Sequence, residues 1–106
     1  MNYGYFDDPN FEYVITKPDT PVSWTNYLGC KTFGSIISNN AGGYSFIHTA
    51  ALGRFTRMPF NSVPMDQPGK YFYLRDNETE DFWSSSWQPV GKSLEDYKTE
   101  CRFGMG

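Results

Sequence analysis

The stretch FGSIISNNAGGYSFIHT, residues 33–49, decides the fold class of this 106-residue chain. Its two ends, Phe33–Ser38 and Gly43–Thr49, are short, contain no proline and are rich in β-branched and aromatic residues. The linker between them, Asn-Asn-Ala-Gly, offers residues that tolerate the positive φ values of a tight connection. The stretch therefore predicts an antiparallel β-hairpin.

Two further pairs of β-type segments lie on either side of this hairpin. Asn2–Phe6 and Phe11–Thr16 are separated by the turn-forming string DDPN, and Lys70–Arg75 and Asp81–Trp87 are separated by DNETE. Ten glycines and seven prolines leave little room for long helices. The chain is therefore predicted to be all-β, with antiparallel hairpins that form part of a β-sandwich.

The remaining segments carry weaker signals. Val22–Gly29 (VSWTNYLG) is predicted to be irregular, and Arg54–Phe60 is predicted to be a strand interrupted at Pro59. Ser93–Glu100 is the only helix candidate, because Ser93 and Asp96 resemble a capping box.

Charge and hydropathy exclude several classes of partner. A formal net charge of −3 argues against a protein that binds duplex nucleic acid or an acidic membrane surface, since proteins of both classes present basic faces to these ligands. No apolar run approaches the roughly 18 residues of a membrane-spanning helix.

The first 20 residues include four carboxylates and show no secretory signal, so we expect a cytoplasmic protein. In that compartment Cys30 and Cys101 are expected to be reduced.

The apolar residues are mostly aromatic. Three Trp, eight Tyr and nine Phe outnumber all Val, Ile and Leu residues together. Aromatic rings build sheet cores, and they also bind the C–H faces of sugars. Trp24, Trp83 and Trp87 are therefore the candidate carbohydrate-contact residues, although any single ring is more readily explained as part of the core.

The sequence predicts no catalytic residue, no metal site and no cofactor site. The single histidine, His48, has no signature of an orienting partner and is interpreted as a structural or surface residue; if Gly43–Thr49 is a strand, it shares a face with Tyr44 and Phe46. Carboxylates concentrate in predicted turns, above all at Asp76–Asp81, where Asp and Asn stabilise the backbone. The cysteines do not have the spacing of a zinc site.

Read as a whole, the chain resembles one family. The strings that carry the resemblance follow in order along nearly all of it: 3–8 (YGYFDD), 12–16 (EYVIT), 18–21 (PDTP), 24–29 (WTNYLG), 37–46 (ISNNAGGYSF), 54–57 (RFTR), 64–69 (PMDQPG), 71–76 (YFYLRD), 82–90 (FWSSSWQPV) and 100–106 (ECRFGMG). They resemble the N-terminal part of the family-94 glycoside phosphorylases (glycosyltransferase 36-type). This family includes cellobiose, chitobiose and laminaribiose phosphorylases.

The resemblance implies a fold and a role. The family begins with a supersandwich-type β-domain, and residues 1–106 match only its opening part, so the domain is incomplete here. The general acid and the phosphate-binding residues of the family lie in an (α/α)6 barrel that has no counterpart in these residues. The family converts a β-linked disaccharide and inorganic phosphate, with inversion, into a sugar 1-phosphate and a sugar. The resemblance thus implies no catalysis by this chain alone, a structural or carbohydrate-binding role, and full-length relatives that are homodimers without a cofactor.

Two alternatives remain open from the residues. The chain could be a stand-alone carbohydrate-binding β-domain, or a non-functional truncated remnant whose unpaired strand edges lead to aggregation or dimerisation. The disaccharide is also open among cellobiose, laminaribiose and chitobiose. Residues 50–54 and 65–69 look nearer to laminaribiose-type members.

Overall fold

The structure, a computed structural model, describes residues 2–56 and 71–105 and is built from short antiparallel strands. The elements in chain order are β1 (Gly4–Asp7), a 3-10 helix (Asp8–Asn10), β2 (Glu12–Ile15), β3 (Thr25–Gly29), β4 (Phe33–Ser38), β5 (Gly43–Ile47), β6 (Tyr73–Arg75), β7 (Phe82–Ser84) and β8 (Cys101–Phe103). They form three sheets with the orders β1-β2-β8, β3-β4-β5 and β6-β7. All paired strands are antiparallel, which confirms the predicted fold class.

The three predicted hairpins are present; β4 has the predicted bounds, and the other five strands are shorter than predicted. β1 pairs with β2 across the 3-10 turn, β4 pairs with β5, and β6 pairs with β7. β5 ends at Ile47 because His48 adopts a left-handed φ of 58° and donates its N–H to the carbonyl oxygen of Thr32. The prediction that His48 shares a strand face with Tyr44 and Phe46 was therefore wrong.

In the turn between β4 and β5, the residues with positive φ are not all the ones that the sequence predicted. The positive φ values fall at Ala41 (61°) and Gly43 (148°), and not at the two asparagines. The buried side chain of Asn39 instead donates to Thr20 Oγ1 at 3.0 Å, and that of Asn40 donates to the carbonyl oxygen of Pro18 at 3.0 Å. These amides tie the turn to the segment that leads into β3.

Replacing Gly43 with alanine should destabilise the β4–β5 hairpin. A Cβ atom at this position would lie 1.9 Å from the carbonyl oxygen of Ile36, at a φ that non-glycine residues rarely adopt. We expect Gly43→Ala to lower the free energy of unfolding by about 1–3 kcal/mol in urea denaturation. Gly104→Ala is the matched control, since nothing lies within 4 Å of its added Cβ. Equal unfolding midpoints for the two variants would contradict this reading of the turn.

Two other expectations about secondary structure were wrong. Thr25–Gly29 is not irregular but forms β3, which pairs with β4 over its whole length. Ser93–Glu100 is not a helix: the carbonyl oxygen of Ser93 accepts the N–H groups of Asp96 and Tyr97, and the chain then leaves this single turn to enter β8. An isolated turn gains too few hydrogen bonds to repay the cost of nucleating a helix.

The predicted strand Arg54–Phe60 lies partly outside the described residues. Within the described part, Arg54 forms a single bridge with Phe46 of β5, and its guanidinium lies 4.5 Å from the centroid of the Tyr44 ring. Tyr44 and Phe46 form a small buried cluster with the partly buried Ile36 and Ala50.

The first two sheets approach each other at β8 and β3. The side chain of Asn26 in β3 donates to the carbonyl oxygen of Gly104, immediately after β8, at 3.1 Å. Beside this contact a groove of about 430 Å³ is lined by apolar side chains that include Leu28, Ile37 and Phe103.

No helix among the described residues is long and apolar enough to cross a membrane.

Candidate functional site

The three candidate tryptophans occupy different environments. The Trp24 ring lies next to Tyr3 and Tyr13, with centroid distances of 5.9 Å to each, and so joins the first sheet to the start of β3. The backbone of Trp24 is also fixed, because its N–H donates to Asn39 Oδ1 and its carbonyl oxygen accepts the N–H of Asn39. A sugar-contact role for Trp24 stays a prediction.

Trp83 and Trp87 are brought together at a common neighbour, Lys92. Trp83 lies in β7, and the Lys92 ammonium is 5.6 Å from the centroid of its ring. Trp87 lies in the loop after β7 and donates its indole N–H to the carbonyl oxygen of Lys92 at 2.8 Å. Trp83 is the better placed of the two for a ligand, because its ring lines the concave surface described below and that of Trp87 does not.

The loop that carries Lys92 is held by Ser84, whose side chain is buried at the end of β7. The Ser84 hydroxyl donates to the carbonyl oxygen of Ser86 at 2.6 Å and lies 3.3 Å from that of Trp87. The Tyr97 hydroxyl lies 3.1 Å from the carbonyl oxygens of both Ser84 and Ser85. These bonds fold residues 84–97 back onto β7.

Together these segments form a concave surface of about 310 Å³ that we call the Trp83 pocket. It is lined by two carboxylates, two ammonium groups and two aromatic side chains: Asp81, Trp83, Lys92, Asp96, Tyr97 and Lys98. Its volume is at the lower end of the roughly 300–1,000 Å³ range of small-molecule sites. The two acidic and two basic residues leave the lining without net charge at neutral pH.

An ion pair lies at one side of the pocket. The ammonium of Lys92 donates to Asp81 Oδ2, and this hydrogen bond lowers the pKa of the Asp81 carboxyl below its usual value. The Lys92 side chain is 22% exposed and that of Asp81 is 54% exposed, so both groups are open to a ligand.

The sequence predicted Trp83 but missed the residues around it. Asp81 was interpreted only as a turn residue and Asp96 only as part of a capping box, and Lys92, Tyr97 and Lys98 were not singled out. One available signal was the spacing of Asp81 and Trp83, because positions i and i+2 of an extended segment project to the same side.

The turn role predicted for the carboxylates of Asp76–Asp81 is confirmed at Asp76. Asp76 Oδ1 accepts the N–H groups of Glu78 at 2.8 Å and Thr79 at 3.3 Å, so this carboxylate stabilises a turn. Cys30 and Cys101 are both free thiols. Across residues 2–56 and 71–105, no three His, Cys, Asp or Glu side chains are grouped so that they could hold a metal ion.

Comparison with known proteins identifies the family. Residues 11–106 match the model of the glycosyl hydrolase 94, supersandwich domain. The chain is 57% identical over 105 residues to an N,N'-diacetylchitobiose phosphorylase of Vibrio furnissii and 52% identical to one of Vibrio proteolyticus, covering 99% of this chain in both cases. It is 38% identical over 104 residues to a 3-O-beta-D-glucopyranosyl-beta-D-glucuronide phosphorylase of Paenibacillus borealis, covering 98% of this chain.

The matched region is a small part of these relatives. The chain spans 13% of the length of the two Vibrio proteins and 12% of the length of the Paenibacillus protein. The match of the family model to nearly the whole chain agrees with the all-β architecture described above. The chain therefore belongs to the glycosyl hydrolase 94 supersandwich-domain family.

Proposed function

We propose that this chain supplies part of the supersandwich domain of an inverting phosphorylase that acts on N,N'-diacetylchitobiose. The observation that carries this proposal is the 57% and 52% identity to two phosphorylases of that name over 99% of the chain. This disaccharide differs from the one that residues 50–54 and 65–69 favoured, since those residues look nearer to laminaribiose-type members. Inorganic phosphate would be the co-substrate, and a sugar 1-phosphate and a free sugar would be the products.

In this proposal residues 1–106 are a partial domain with a scaffold role. The family's catalytic groups are expected in a barrel outside these residues, so the chain alone would not turn over substrate. We also propose a homodimeric parent enzyme in the cytoplasm, where the free thiols of Cys30 and Cys101 would remain reduced.

A chimera tests this assignment. The 105 matched residues of the Vibrio furnissii enzyme would be replaced by this chain, and the release of sugar 1-phosphate from N,N'-diacetylchitobiose and phosphate would be measured. We expect kcat/KM within about tenfold of the parent, a difference of about 1.4 kcal/mol in transition-state stabilisation. The isolated chain should release no sugar 1-phosphate.

The Paenibacillus borealis glucuronide phosphorylase is the matched control host, because its corresponding region is only 38% identical. We expect the same graft to lower its activity further than that of the Vibrio host. A folded Vibrio chimera without activity, or turnover by the isolated chain, would contradict the proposal.

A second candidate function, carbohydrate binding by the chain itself, is favoured by one observation. Trp83 combines an aromatic ring with accessible charged partners in a concave surface of ligand size.

A further inference from the structure

We propose that the Trp83 pocket binds an uncharged pyranose unit of a β-linked disaccharide, with the Trp83 ring as its stacking surface and the Asp81–Lys92 pair as its hydrogen-bonding partner. This inference rests on the carbohydrate-binding function proposed above and assigns it to a specific place.

The Trp83 ring provides the apolar half of the site. A pyranose whose hydroxyls are equatorial presents C–H groups on its flat faces, and these fit the electron-rich face of an aromatic ring. The Lys92 ammonium lies 5.6 Å from the ring centroid, near the outer limit of about 6 Å for a cation–π contact. A sugar that shifts this ammonium therefore gives up only a weak contact.

The ion pair provides the polar half. Lys92 Nζ can donate a hydrogen bond to a sugar hydroxyl oxygen, while the Asp81 carboxylate can accept a hydrogen bond from a neighbouring hydroxyl. Hydrogen bonds to charged groups are stronger than neutral ones, and two adjacent hydroxyls match the adjacent partners. Both side chains are partly exposed, so they can exchange water for sugar without unfolding the loop.

The balance of charge selects the class of sugar. Asp81 and Asp96 offset Lys92 and Lys98, so the pocket offers no net attraction to phosphate or to a uronic acid. This feature favours a neutral sugar over an anionic ligand.

The site is held in shape before a ligand arrives. The backbone of Lys92 is fixed through its carbonyl oxygen by the Trp87 indole, and Tyr97 is fixed through its hydroxyl by β7 and the residue after it. A ligand therefore loses little free energy to ordering of the pocket.

Titration of the 106-residue chain with N,N'-diacetylchitobiose in phosphate-free buffer tests the proposal. Calorimetry and tryptophan fluorescence should both show saturable binding with a Kd of about 1 mM, typical of a small exposed site. Trp83→Ala should weaken binding at least about tenfold. Phe82→Ala removes an exposed ring from the neighbouring position of the same strand and should leave binding unchanged.

Lys92→Gln provides a second variant that keeps the backbone carbonyl used by Trp87, so it tests the pocket even if Trp83→Ala fails to fold. It should weaken binding several-fold without shifting the unfolding midpoint. Absence of saturation by the disaccharide, tighter binding of inorganic phosphate or glucuronic acid, or full binding by Lys92→Gln would each overturn the proposal. An active chimera combined with a non-binding chain would overturn this site alone and leave the phosphorylase assignment standing.

Discussion

Phe46→Ala should lower the free energy of unfolding by about 3–5 kcal/mol, the cost of removing a large buried aromatic side chain. Phe46 is 8% exposed, and its ring lies over Gly34, where an added Cβ would be only 2.4 Å from the ring. It also lies beside Tyr27 and Tyr44, with centroid distances of 6.2 Å and 6.1 Å. Urea denaturation followed by far-ultraviolet circular dichroism measures the change.

Phe72→Ala is the matched control, because it removes the same side chain from a residue that is 73% exposed. We expect it to change the free energy of unfolding by about 0.5 kcal/mol or less, as at most surface positions. If the two variants unfold at the same urea concentration, the Tyr44–Phe46 cluster does not stabilise the fold as described.

The size of the Phe46 effect follows from how few apolar side chains are buried. Among the described residues, the buried hydrophobic side chains are Val14, Ile15, Tyr44 and Phe46. Several large apolar side chains elsewhere, including Phe6, Phe72 and Phe82, are more than half exposed. Because Tyr44 and Phe46 form the buried hydrophobic cluster of the described residues, the loss of one of the two rings removes a large fraction of a stability that is marginal in most proteins.

The local part of the fold could be predicted from the sequence, and the long-range part could not. Each predicted hairpin consists of two β-type segments joined by a turn, so the residues that specify it lie within about 20 positions of one another. β8 has only three residues, and it pairs with β2, where Ile15 lies opposite Cys101. Nothing in a three-residue string specifies a partner so distant, and this strand was therefore missed.

The failure of the helix prediction has a tertiary cause. The capping pattern at Ser93 does form a turn, with Asp96 and Tyr97 donating to its carbonyl oxygen. Tyr97 is then bound through its hydroxyl to the end of β7, and the chain continues into β8. Tertiary contacts thus override a local preference that is worth only a fraction of a kcal/mol per residue.

The same distinction applies to the Trp83 pocket. Trp83 could be named as a candidate from the sequence, but its partners depend on how the loop after β7 closes. Ser84 and the Trp87 indole N–H determine that closure and bring Lys92 over Trp83, eleven residues after Asp81. Such a closure depends on bonds to backbone carbonyls, which no short sequence motif encodes.

At pH 8, Cys30 should be alkylated at least about 100-fold faster than Cys101. Burial raises the pKa of the Cys101 thiol to about 11, whereas N–H groups of Thr32 and Phe33 lower the pKa of the exposed Cys30 thiol. Only the thiolate reacts, so at pH 8 a thiol with a pKa of about 11 is ~0.1% ionised, whereas the lowered pKa of Cys30 leaves a far larger fraction of that thiol ionised. Mass spectrometry after timed exposure to iodoacetamide should locate the first label on Cys30.

The pH dependence tests the cause of the difference. In Cys30→Ser, the alkylation rate of Cys101 should rise about tenfold per pH unit between pH 8 and pH 10, because its thiolate fraction increases up to a pKa of about 11. Unfolding in urea removes the burial at β8, and both thiols of the original chain should then react at similar rates. Rapid labelling of Cys101 in the folded chain at pH 8 would show that β8 does not shield it, and the pairing of β8 with β2 would have to be revised.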